Sequence, residues 1–116
     1  MIVGIGIIDI YIFNSRSLKE KRGGLRRIMK GTQNRFNISI AEIGNNDNWK
    51  RGRIGFSVVG NDTGYINSKM DNILKFIDNL GLAELVSSKV EIVSFSNVID
   101  QSAYIRDIPV SDYGEL

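Results

Sequence analysis

The chain has 116 residues, 42% of them hydrophobic and 24% charged, enough apolar content for a folded core and too much for a disordered segment. It has no cysteine and no histidine, which excludes disulfides, thiolate nucleophiles and imidazole bases or metal ligands, and neither a metal nor another cofactor is expected. Its net charge of +2 is unevenly spread: residues 14–53 hold eleven basic and three acidic residues (+8), and the remainder four basic and ten acidic (−6), an asymmetry that suits an anionic partner.

Ile2 to Phe13 is rich in β-branched residues and free of proline, which predicts a central strand. Alternation puts Ile8, Ile10 and Ile12 on one face and Ile7, Asp9 and Tyr11 on the other. This apolar opening lacks a basic flank, contains Asp9 and is too short to cross a bilayer, so a cytoplasmic location and no membrane partner are expected. After Asn14-Ser15-Arg16, the run Ser17-Leu18-Lys19-Glu20 matches a capping box, in which serine and glutamate side chains satisfy free amides at a helix start. The helix that follows places Leu18, Leu25, Ile28, Met29 and Thr32 on a core stripe. Gly23, Gly24 and Gly31 interrupt it, each costing roughly 1 kcal/mol relative to alanine. Either a neighbouring element approaches closely at Gly23-Gly24, or the helix is weaker than its pattern.

Phe36 to Ile43 alternates and predicts a second strand, and Trp49 to Val59 a third. The intervening Gly44-Asn45-Asn46-Asp47-Asn48 is a turn, with Asp47 as turn former, so these strands form a hairpin. Asn61-Asp62 caps a second helix with Ile66, Met70, Ile73, Ile77 and Leu80 as its stripe and Gly81 at its end, and Glu84 to Phe95 is a fourth strand. The order βαββαβ predicts an α+β, ferredoxin-like fold: a four-stranded antiparallel sheet with two helices on one face and the other face open. Residues 1–96 form this domain; 97–116, with Pro109 and the acidic Asp100, Asp107, Asp112 and Glu115, form a C-terminal extension that is either docked or mobile.

The run Ser15-Arg16-Ser17-Leu18-Lys19-Glu20-Lys21-Arg22 after a first strand resembles the YlxP-like family of small bacterial proteins of unknown function. Asn34-Arg35-Phe36-Asn37, Ala41-Glu42, Asp47, Trp49, Gly55 and Asn61-Asp62 follow in that family's order, so the resemblance covers roughly residues 1 to 95. It implies a ferredoxin-like fold, and its gene neighbourhoods, rich in translation and ribosome-assembly genes, lean toward RNA. The sequence departs from the family at Gly23-Gly24, where a basic and then an apolar residue is usual, and beyond about Ser96.

Lys19, Arg22, Arg26 and Lys30 recur at three- and four-residue spacing and share a helix face. With Arg16, Arg27, and Lys50, Arg51 and Arg53 from the third strand, they make the candidate nucleic-acid-binding set of a non-enzymatic RNA- or ribosome-associated module. The bland alternative is a solvated helix face. Aromatic stacking on the sheet, as in RNA-recognition motifs, is not expected, because Phe56 alternates with Ile54 and Val58 and should face the helices. Trp49 reads as a core or interface anchor, and Glu42 with Asp47 as too sparse a set for a metal. Two other functions fit: a homo-oligomeric interaction module using Ile5, Ile7, Tyr11, Val59, Val93 and Phe95 on the open face, and an acylphosphatase-like phosphate site at Arg16 with Asn45, Asn46 or Asn48. The second lacks that family's glycine-rich loop.

Overall fold

The structure, a computed structural model, describes residues 1–45 and 47–95. Its elements run β1 (Ile2–Ile12), α1 (Leu18–Arg35), β2 (Ser39–Gly44), β3 (Arg51–Gly60), α2 (Thr63–Asn79) and β4 (Ala83–Ser94). The sheet is antiparallel throughout, in the order β2-β3-β1-β4, with both helices on one face. The predicted βαββαβ architecture is therefore the observed one. The extension over 97–116, and Asn46 of the hairpin turn, lie outside the described residues.

Alternation along the two inner strands decides which face is covered. Ile8, Ile10 and Ile12 of β1 and Ile54, Phe56 and Val58 of β3 are buried beneath the helices, where they meet Leu25 and Ile28 of α1 and Ile66, Met70, Ile73 and Ile77 of α2. Glycines let the layers approach. A Cβ on Gly4 would lie 2.7 Å from Met70 Sδ and 2.9 Å from Ile66 Cγ2, and one on Gly6 would collide with the Phe56 ring, which its cross-strand partner lays over it.

The boundaries move by one to three residues, for local reasons. β1 stops at Ile12 and the chain turns at Asn14, whose φ of 61° is left-handed. Phe36, expected to begin the second strand, caps α1 instead: its backbone is extended, but its N–H donates to Thr32 O at 2.8 Å, and its ring meets Phe76 of α2 edge-on at 5.6 Å. The strand proper begins at Ser39. Gly81, φ 68°, closes α2 as expected. Both outer strands carry a bulge: Ile43 is the extra residue of β2 opposite Ile54 and Arg53, and Val86 that of β4 opposite Asp9 and Ile10.

Candidate nucleic-acid interface

The candidate surface begins where β1 hands the chain to α1. Ser17 is the N-cap, its Oγ accepting from Glu20 N at 3.1 Å. Glu20 Oε2 reaches back to accept from Arg16 N at 2.6 Å, one residue further out than the Ser17 amide that a capping box would use. Ser15, nearly fully buried, shares its hydroxyl proton between the carbonyls of Ser17 and Trp49. That hydroxyl joins the start of α1 to the β2–β3 hairpin.

A second tie was missed in the sequence. Lys21 is fully buried, and its Nζ donates to Asn45 O at 2.5 Å and lies 3.4 Å from Glu42 Oε2. That carboxylate oxygen is itself buried and accepts no hydrogen bond from the described residues, where Lys21 is its electrostatic partner. The signal was present: 18, 21, 25, 28 and 32 step by three and four residues, which puts a lysine on the core stripe. Glu42 occupies the matching helix-facing position of β2, beyond Ile40. A third tie is Ile12 N to Lys50 O at 2.8 Å.

These ties anchor the hairpin at Asn45, Trp49 and Lys50. Asn48, rather than the expected Asp47, forms the turn: Asn48 Oδ1 accepts from Lys50 N and Arg51 N, both at 2.9 Å, and Asn45 takes a left-handed φ of 59°. Trp49 is not in the core. It is 46% exposed, with Lys50 Nζ 5.5 Å from its ring centroid.

The nine candidate cations fall into two groups. Arg16, Lys19, Arg22, Arg26, Arg27 and Lys30 are all exposed along α1, and Lys50 stands at the hairpin beside its first turn. Arg51 and Arg53 alternate with the inward Gly52 and Ile54, and so point to the opposite, open face of the sheet. There Arg53 is engaged: Nε and Nη2 donate to the two carboxylate oxygens of Asp9 at 2.7 and 3.2 Å, and Ser87 Oγ adds a bond at 2.9 Å. These hydrogen bonds, the Arg53 one foremost, hold the Asp9 carboxyl below its usual range. Among the described residues, Lys21–Glu42 and Arg53–Asp9 are the ion pairs. The six α1 cations thus have no carboxylate partner there.

Beside the basic face lies a cleft of about 390 Å³, floored by Ile12 and Leu82, walled by Phe13 and Asn14, and edged by Glu20 and Arg27. Gly23 and Gly24 form its helical side. Among the described residues, a Cβ on Gly23 would meet nothing within 4 Å, and one on Gly24 would rest 3.4 Å from Ile12 Cγ2. The described elements do not press on Gly23.

On the open face Ile5, Ile7, Ile43, Val59 and Val93 are exposed, while Phe56 is buried under the helices as predicted. The open-face positions of β3 are Arg51, Arg53, Gly55, Ser57 and Val59, which offer no ring for a base. Among the described residues no cluster of three potential metal ligands occurs, and no helix is long and apolar enough to cross a membrane.

The element order and sheet topology define a ferredoxin-like α+β protein. A de novo designed protein with a ferredoxin fold, solved by solution NMR, is similar at a TM-score of 0.50 and 10% identity, over 93% of this chain and 99% of that one. A second design, Foldit4, is similar at 0.46 and 15%, over 83% and 100%. The chain belongs to the family described as a protein of unknown function, DUF503, whose model matches residues 3–90. It is 35% identical over 89 residues to the uncharacterized protein YlxP of Bacillus subtilis (strain 168), a match covering 77% of this chain and 97% of that one.

Proposed function

We propose that this protein is a non-enzymatic accessory module that binds RNA, free or within a ribosomal particle, through the outer face of α1. One observation carries the reading: Arg16, Lys19, Arg22, Arg26, Arg27 and Lys30 are exposed together without a carboxylate partner among the described residues. Such a row is costly in self-repulsion and is relieved by a polyanion that releases its counterions on binding. Lys50 extends the row onto the hairpin, which Ser15 and Lys21 hold in place. Arg51 and Arg53 face the other way and do not belong to it.

Titration with salt tests this. Six phosphate contacts give a log–log slope of about −4 for a single strand, and each alanine substitution at Arg22, Arg26 or Lys30 should lower it by about 0.7. Cosedimentation with ribosomal particles that disappears at high salt is the second expected result. No binding to structured RNA at low salt refutes the proposal.

The exposed apolar residues of the open face favour a second reading, a self-associating module with no nucleic-acid role. Under it, Ile7→Lys alters the oligomeric state in solution, and the α1 variants change nothing. The phosphate-site alternative at Arg16 draws less support, because the Arg16 amide is already committed to Glu20.

A further inference from the structure

Resting on the RNA reading, we infer that the cleft beside Gly23 and Gly24 receives one unstacked nucleobase, making the protein a reader of single-stranded or looped RNA rather than of duplex. Two successive glycines inside a helix each cost roughly 1 kcal/mol relative to alanine, and packing among the described residues does not explain the first, since a Cβ there would meet none of them within 4 Å. A side chain there would add bulk at the helical side of the cleft.

The lining suits a base better than a free phosphate. Ile12 and Leu82 give an apolar floor, and Phe13, 46% exposed, gives an aromatic wall of the kind on which unpaired bases stack. Glu20 stands in the lining as an anion, which repels a phosphate inside the cleft. One of its oxygens accepts from Arg16 N, and the carboxylate retains capacity for an exocyclic amine of a base. Arg27, at the edge and without a carboxylate partner among the described residues, is placed for the nucleotide's own phosphate. At about 390 Å³ the cleft lies near the lower end of the usual range of roughly 300–1,000 Å³ for ligand sites, a size for one nucleotide. The strand on either side then continues along the α1 cations.

Gly23→Leu separates the base from the phosphates. It adds bulk at the helical side of the cleft, where a Cβ meets no described neighbour within 4 Å, and it improves helix propensity, so the variant should fold and melt higher than the parent chain. Fluorescence anisotropy at low salt would compare a short single-stranded RNA, the same strand with abasic sites, and the matching duplex. Gly23→Leu should lose about tenfold in affinity for the single strand, the worth of one stacked base. It should leave the duplex and the salt slope unchanged, and the parent chain should bind the abasic strand as weakly as the variant binds the intact one. Arg26→Ala should weaken all three. Unchanged single-strand binding by Gly23→Leu, with salt dependence intact, overturns the cleft assignment and leaves the electrostatic reading standing. Failure of the parent chain to bind any of the RNAs overturns both.

Discussion

Lys21→Met should be among the most damaging changes on α1, although it leaves volume and helix propensity nearly untouched. The side chain is fully buried, and its ammonium serves both the Asn45 carbonyl and the Glu42 carboxylate. Removing one member of a buried pair costs about 3–5 kcal/mol, because the other charge is left without a partner. The Glu42 side chain keeps 24% of its exposure, and this contact with water puts the loss at the lower end, about 3 kcal/mol. For a domain of this size, with about 4–8 °C per kcal/mol, Tm falls by about 12–24 °C. The double variant Lys21→Met/Glu42→Leu removes both charges together and should recover most of the loss. Thermal and urea melts followed by circular dichroism, on both single variants and the double, close the cycle. A loss below about 1 kcal/mol for Lys21→Met, or additivity within about 0.5 kcal/mol, would refute a coupled buried pair.

Gly6→Ala should destabilise by about 1–3 kcal/mol, since its Cβ must displace the Phe56 ring, and a neutral urea midpoint would contradict that packing. Ser17→Ala should cost about 1 kcal/mol through loss of the bond to Glu20 N, with Ser17→Asp retaining the stability. Asp9 is held below its usual range, so its contribution to stability is complete above about pH 4 and is lost as pH falls through the lowered native value. Asp9→Asn should therefore flatten the acid limb of a stability–pH curve, and an unaltered limb would show that the Arg53 pair carries no proton linkage.

Much of the fold was legible because period and caps agree. Ile8, Ile10 and Ile12 lie where alternation puts them, Ser17 and Asp62 cap their helices, and Gly81 ends α2. Phe36 was misread because its apolar side chain continues a strand-like alternation while its amide still belongs to the helical ladder. The basic face was readable as spacing along one helix. The burial of Lys21 has a trace in the stripe spacing, which a lysine's usual surface preference outweighs, but its partner, 21 positions away on β2, has none. The same parity that turns Ile54, Phe56 and Val58 toward the helices turns Arg51 and Arg53 away from them, so pooling these arginines with the α1 cations by charge alone hides a separation that the alternation carries. The cleft had a trace in Gly23-Gly24, but distinguishing close packing from empty space needed the distances.

The bulges at Ile43 and Val86 both fall on the outermost strands. A bulged border is a poor template for another strand, because its amides and carbonyls no longer present an even row. Growth of the sheet sideways, into fibres or edge-paired stacks, is discouraged at both margins. Among the described residues, the exposed Ile5, Ile7 and Val59 then lie on the broad face of the sheet rather than along its borders, where a two-fold pairing would bury the same patch on both copies.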